Sequence, residues 1–308
     1  MVMKLSVRLQ TYNHEDFIEA CLNGVAIQKT DFVFEVIIGD DFSTDKTKEK
    51  IKIFLENNKQ KNIKWKLLPR EKGDDYHKRR IHNGRLENFV DTLYHCNGQY
   101  IALLDGDDYW TDPLKLQKQI DFLESNSEYS ICFHHCYKLE GDNMTKIVQS
   151  GKFDFTFKDY LDKHKNGLHA PTTLSIVCRN NYCVNRELYE LKNNPSGLDY
   201  PFVLLHLTKG DGYILQDYCG VYRIHAGGIS NVITGRVDLK FLQVLSIYQL
   251  KFFNANLRIL IRDQLSKLAI NVFLSGLAFG SFKLFYFSLL YAFHRLLRKL
   301  SFQISTEY

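Results

Sequence analysis

Four times in the first 125 residues, a short apolar run gives way to a segment whose apolar residues recur at helical spacing. Leu5, Val7 and Leu9 alternate as in a strand. Phe17, Ile18, Cys21, Leu22 and Val25 follow on one helical face, with Asn13 or His14 placed to cap that helix. The run VFEVIIG ends at Asp40-Asp41 and precedes a helix with Thr47, Ile51, Phe54 and Leu55 on one side. IKWKLLP is a third strand, and Leu86, Phe89, Val90 and Leu93 mark a third helix. YIALL is a fourth strand, whose unbroken apolar character implies burial on both faces. Asp112-Pro113 then opens a helix carrying Leu116, Ile120 and Leu123. This alternation predicts an α/β fold, a mixed but mainly parallel sheet flanked by helices.

In such sheets ligands bind at the carboxyl ends of the strands. Three polar clusters fall there: TYN at 11–13, DD at 40–41 and DGDD at 105–108. The last packs Asp105, Asp107 and Asp108 within four positions. Two carboxylates about 5 Å apart repel by roughly 3 kcal/mol at an effective dielectric of 20, so a positive charge is expected among them. In an extended chain Asp105 and Asp107 point the same way. Hard carboxylate oxygens suit Mg²⁺ or Mn²⁺, which commonly bridge protein carboxylates and substrate phosphates. An acidic turn that caps the next helix is the simpler alternative.

The middle of the chain is less regular. SICFHHCYKL (130–139) and TTLSIVC (172–178) read as strands with a short FKDYLDK helix between them. A helix over Phe202–Leu207 follows, then GYILQDYCGVYRIH (212–225) as a strand running into a loop. His134, His135 and Cys136 lie in an apolar strand without further ligands at metal spacing, which argues against a zinc site. From about Asp238 to Leu300 the sequence reads as helical.

Charge is uneven along the 308 residues. From Asn231 onward there are ten Lys/Arg and three Asp/Glu, so this tail carries +7 while the remainder carries −2. A near-neutral body with a basic, apolar tail argues against a nucleic-acid binder and fits a domain held near anionic lipid. The apolar run 268–293 holds one charge, Lys283, but Asn271, Gly276, Gly280 and Ser281 interrupt it. Amphipathic helices on the domain or in the membrane interface suit it better than a spanning helix. Seven cysteines, odd in number and without a CxxC pair, imply reduced, buried thiols. The start, MVMKLSVRLQ, lacks a signal-peptide core, so a cytoplasmic protein is expected, peripheral at the inner face of the plasma membrane if the tail binds lipid.

VIIGDDFSTDKT at 36–47 and YIALLDGDDYWTDPLKLQKQIDFLE at 100–124 resemble the inverting family-2 glycosyltransferases of the GT-A fold. They are especially similar to bacterial members from surface-polysaccharide gene clusters. GLDYPFVLLHLTKGDGYILQDYCGVYRIHAGGIS at 197–230 is similar to the third conserved block of that family. The resemblance implies a GT-A catalytic domain over 1–230 and a C-terminal helical extension over 231–308. It also implies a metal-dependent transferase that uses Mn²⁺ or Mg²⁺. The donor would be a nucleoside-diphosphate sugar, UDP-linked by preference, and the acceptor a glycan or a lipid-linked glycan.

By the same resemblance Thr11 and Asn13 would touch the donor, and Asp41 would hydrogen-bond the uracil edge, with Asp40 structural. Arg85, in the loosely matching HNGRLENF, would reach the donor too. Asp105 would lie near the ribose and the metal, Asp107 would be the main metal ligand, and Asp108 would support the loop or contact the sugar or acceptor. Asp199 in GLDYPF would be the base, although Leu198 stands where an acid is common and Asp before a helix also serves as a cap. His225 would complete the metal site or stabilise the leaving group, and Arg223 would contact the diphosphate. Gly227-Gly228 suggest a flexible lid. Tyr109 and Trp110 would stack on a sugar ring or pack in the core. A phosphatase with an aspartyl nucleophile also carries DxD, but the GDD block would then go unexplained. A non-catalytic glycan-binding relative is the other alternative.

Overall fold

The computed structural model describes residues 2–147, 153–161, 172–191, 197–228 and 254–279. Two compact units divide the chain, Met1–Asn193 with Gly197–Asn231 and Asn194–Ser196 with Val232–Tyr308.

The first unit is built on a ten-stranded sheet. Its leading strands are β1 (Leu5–Thr11), β2 (Phe34–Asp40), β3 (Ile63–Leu67) and β4 (Tyr100–Asp105). They lie parallel in the order β3-β2-β1-β4. The path continues through β9 (Val177–Arg179), β6 (Tyr129–Glu140) and β10 (Asp211–Ile224) to the two-residue β5 (Tyr109–Trp110). β9 runs antiparallel to both neighbours, whereas β6 and β10 are parallel to each other. β7 (Asn143–Ile147) adds to β6, and β8 (Asp154–Phe155) to β10. The expected mainly parallel, mixed sheet is what forms.

Central position explains the burial of β1. Leu5, Val7 and Leu9 are fully buried, as their alternation requires, but so are Ser6 and Arg8. A strand paired on both sides and covered by helices has no solvent face, so its polar residues need internal partners. Ser6 donates to Glu35 and accepts from the Gly98 amide. Arg8 donates to Asp105 at 2.9 Å, with its guanidinium 4.1 Å from the centre of the Phe89 ring. β3 lies at the sheet edge, and its exposed Lys64 and Lys66 discourage further pairing there.

Several helix boundaries differ from expectation. Helix α1 spans Ile18–Ala26 with no side-chain cap. Asn13 and His14 instead brace a loop. Helix α2 (Thr47–Asn57) is as expected, but α3 (Asp75–Asn83) was not anticipated. It is capped by Asp74, which accepts from the His77 amide, and ends at Gly84 with φ +72°. The third expected helix is α4 (Glu87–Tyr94). Helix α5 (Lys115–Ser125) starts two residues beyond Pro113, because Asp112 makes a turn by accepting from the Leu114 amide. The shorter α6 (Phe157–Leu161), α7 (Tyr182–Tyr189) and α8 (Asp199–His206) complete the unit.

In the second unit one helix, Ala255–Phe279, is described. Among the described residues no helix is long and apolar enough to cross a membrane. Most of the tail, including residues 280–308, lies outside the described residues.

Lys115 is fully buried in α5, its ammonium 3.9 Å from the centre of the Trp110 ring and without a hydrogen-bond partner. Burial brings its pKa down to about 7. An unfolded lysine holds its proton to a pH of about 10.4, so between these values the unfolded chain binds more protons and stability rises with pH. Lys115→Met is therefore expected to melt several degrees above wild type near pH 7, with the advantage narrowing toward pH 10. Melting curves at the two pH values check this, and a constant offset would contradict it.

Candidate active site

Register brings the three polar clusters together. Thr11 pairs with Asp40 and Gln10 with Asp105, so β1, β2 and β4 end at one level. The loops beyond are zipped to one another. The Asn13 amide donates to Ser43 Oγ, and Asn13 Oδ1 accepts from the Thr44 amide at 2.8 Å. The His14 amide donates to Thr47, and that of Glu15 to Asp45. Asn13 holds its place with φ +52°, a conformation asparagine tolerates better than most residues. Asp40 accepts from both the amide and the hydroxyl of Ser43, which gives it the expected structural role.

Asp41 is buried and faces α3. It accepts from Tyr76 Oη at 2.7 Å and from Arg80 Nε at 2.7 and 2.9 Å. Asp41 and Arg80, with Tyr12, Phe42, His77 and Ile81, line an open cleft of about 210 Å³. Behind it Arg70 donates to Asn88, Asp91 and the Asp40 carbonyl while stacking on Tyr76. Arg85 is not at this cleft. It sits exposed on the 3-10 turn Gly84–Leu86, one helix terminus beyond the arginine that meets Asp41.

The DGDD carboxylates each have a different partner. Asp105 pairs with buried Arg8. Desolvation, added to the nearby charges of Asp107 and Asp199 and opposed by Arg8, pushes Asp105 up to about 7. Asp107 Oδ2 lies 3.1 Å from His225 Nε2 and 3.8 Å from His14 Nε2. Burial raises its pKa, but the His225 hydrogen bond and the His14 charge outweigh that and hold it below the usual carboxylate range. Asp108 is buried beside Asp107, and desolvation followed by that repulsion raises its pKa. It accepts from the Arg223 amide at 2.9 Å, so it supports the loop. The Arg223 guanidinium donates to the Asp107 carbonyl and lies over the Tyr109 ring at 4.3 Å. Burial lowers the pKa of His14.

Among the described residues one group could hold a metal ion, His14, Asp107 and His225, whose ligand atoms all lie within 4.8 Å of one another. Asp105, expected as a ligand, is outside it. His14 was not anticipated. Thr11, expected on the donor, places its hydroxyl 3.1 Å from His14 Nδ1. Gly106 is required by the same packing, since a Cβ there would lie 2.5 Å from Thr11 Oγ1 and 2.9 Å from His14 Nδ1.

Asp199 is exposed at the first position of α8, within electrostatic reach of both Arg8 and Asp105. Trp110 is buried and donates to the Leu174 carbonyl, so it packs in the core. His134 is likewise a core residue, held neutral as burial pushes its pKa down to about 3.

Comparison with known proteins bears on this arrangement. An uncharacterized protein of Mycobacterium tuberculosis is 31% identical over 227 residues, which cover 73% of this chain and 60% of that one. The chain thus spans about three fifths of the length of that relative. A Bacillus subtilis protein named as a teichuronic acid biosynthesis glycosyltransferase is 28% identical over 56% of this chain and 61% of its own. In fold the chain is similar to Staphylococcus aureus TarS 1-349 in complex with UDP, with a TM-score of 0.58 at 16% identity. That match covers 88% of this chain and 72% of TarS 1-349. The same TarS fragment is also known in complex with UDP-GlcNAc. Residues 6–182, more than half of the sequence, match the profile of glycosyl transferase family 2. The chain belongs to glycosyl transferase family 2.

Proposed function

We propose that this protein is an inverting glycosyltransferase that moves a sugar from a UDP-sugar to a glycan or lipid-linked acceptor in cell-surface polysaccharide synthesis. The observation that carries the reading is the placement, at the carboxyl ends of β1, β2 and β4, of the Asp41–Arg80 cleft and of Asp107 with its His225 contact, with exposed Asp199 within electrostatic reach of Asp105. Asp41 accepts and Arg80 donates, which complements the adjacent N3–H and O4 of uracil. Cytosine and adenine present the reverse pattern, while guanine shares it through N1–H and O6. UDP is favoured because TarS, similar in fold, is known in complex with UDP and UDP-GlcNAc.

The donor set fits a divalent ion, since a carboxylate oxygen of Asp107 and a ring nitrogen of His225 converge at 3.1 Å. Bound there, a divalent ion would neutralise charge on the departing diphosphate. Asp199 then acts as general base. As the acceptor oxygen bonds to the anomeric carbon and the bond to the phosphate oxygen breaks, the acceptor proton passes to the Asp199 carboxylate. Attack opposite the leaving group inverts the anomeric centre. Arg223 holds the loop after β10 against the Asp107 carbonyl, keeping His225 at the site. A lipid-linked acceptor would meet the enzyme at a membrane surface, to which the +7 charge of residues 231–308 would draw it.

Arg80→Ala is expected to weaken UDP binding about tenfold, the usual scale for one charged hydrogen bond. It should leave binding of the sugar-free phosphate part, measured with pyrophosphate, unchanged. Release of UDP from a panel of UDP-sugars, beside GDP-, ADP- and CDP-sugars, tests the function itself. Turnover confined to the UDP series supports the reading, and turnover of none by folded protein rejects it.

A further inference from the structure

We infer that His14, Asp107 and His225 together form the ion site, with Asp105 excluded, and that this site discriminates strongly against Mg²⁺. The inference deepens the proposed function and rests on it only for the ion's use. The three ligands come from three separate loops, after β1, β4 and β10. Ligand atoms at right angles about 2.1 Å from an ion are about 3.0 Å apart. His225 Nε2 already meets that spacing with Asp107 Oδ2 at 3.1 Å, and His14 Nε2 is close to it at 3.8 Å.

The rings are held for this purpose. The Thr11 hydroxyl lies against His14 Nδ1, and when that nitrogen carries the proton the Nε2 lone pair faces Asp107. Such an outer partner fixes the tautomer of a metal-bound imidazole. Phe17 packs against both histidines, its ring centre 4.6 Å from His225 and 6.3 Å from His14, whose own rings meet edge-on at 6.2 Å. Gly106 leaves room for Thr11 and His14 to close onto the DGDD turn. Asp105 is committed elsewhere, to the Arg8 guanidinium.

Two imidazoles and one carboxylate form a donor set unlike the oxygen shell that Mg²⁺ demands. Affinity should rise along the first-row series, with Co²⁺ above Mn²⁺. A face of three protein ligands also leaves positions open for diphosphate oxygens.

The test is binding of Mn²⁺ alone to the full chain, read by its electron paramagnetic resonance signal, with Mg²⁺ and Co²⁺ as competitors. Asp107→Asn, His14→Gln and His225→Gln are each expected to weaken Mn²⁺ at least tenfold. Thr11→Val should weaken it about tenfold by freeing the His14 ring. Asp105→Asn should retain Mn²⁺ affinity within about threefold, with circular dichroism confirming that every variant is folded. A tenfold excess of Mg²⁺ should displace little Mn²⁺, and equimolar Co²⁺ most of it. Unchanged Mn²⁺ binding by His14→Gln, a tenfold loss in Asp105→Asn, or ready displacement by Mg²⁺ would overturn the inference, as would no binding to wild type. UDP titration of the same samples separates the two readings. Ion bound without nucleotide keeps this site and removes the transferase, and nucleotide bound without ion does the reverse.

Discussion

Asp199→Asn is expected to cut sugar transfer by about 10²–10⁴-fold, the usual contribution of a positioned general base. The substitution keeps size and hydrogen bonding but cannot accept the acceptor proton. Asp199 stands exposed at the start of α8 and does not line the Asp41 cleft, so UDP affinity should stay within about twofold of wild type. Stability should also change little, because an exposed carboxylate at a helix start contributes about 1 kcal/mol or less. Steady-state transfer beside calorimetric UDP binding checks both parts. A variant with full transfer would return Asp199 to the role of a helix-start residue.

Asp107→Ala is expected to lower transfer by about 10³-fold, because ion stabilisation of the leaving diphosphate is worth several kcal/mol and each 1.36 kcal/mol is tenfold in rate. Its effect on folding should be small, and this contrast is diagnostic. Asp107 raises the pKa of buried Asp108, so removing its charge relieves a repulsion while losing the His225 contact. Melting temperature within a few degrees of wild type, beside a collapse in rate, marks a residue kept for chemistry. A large drop in melting temperature would mark Asp107 as structural instead.

Hydrophobic pattern and strand-end chemistry made the parallel core and the site edge readable in the sequence. YIALL predicted a doubly buried strand, and the DGDD cluster at its end predicted that something positive must lie nearby. That cation is in part internal, Arg8 to Asp105, and the two are 97 residues apart. Long-range pairings of this kind leave no local periodicity to read. Arg8 looked like a polar position on an alternating strand, and only the pairing of β1 on both sides buries it. Helix α3 escaped because its buried residues are few, Tyr76 and Asn83, although Asp74 as cap and Gly84 as stop were in plain view. With α3 unread, Arg85 is the arginine expected at the donor, whereas the one that meets Asp41 is Arg80, five residues earlier. The sequence offers His14 only as an alternative to Asn13 for a helix cap, and its imidazole's approach to Asp107 depends on the turn that Gly106 permits.

The most direct measurement is a calorimetric titration of UDP into wild type and Asp107→Ala, each with and without Mn²⁺. The account predicts UDP binding by wild type that strengthens at least tenfold with Mn²⁺, and an Asp107→Ala protein whose weaker UDP binding ignores the ion. Folded wild type that binds no UDP under either condition would contradict it.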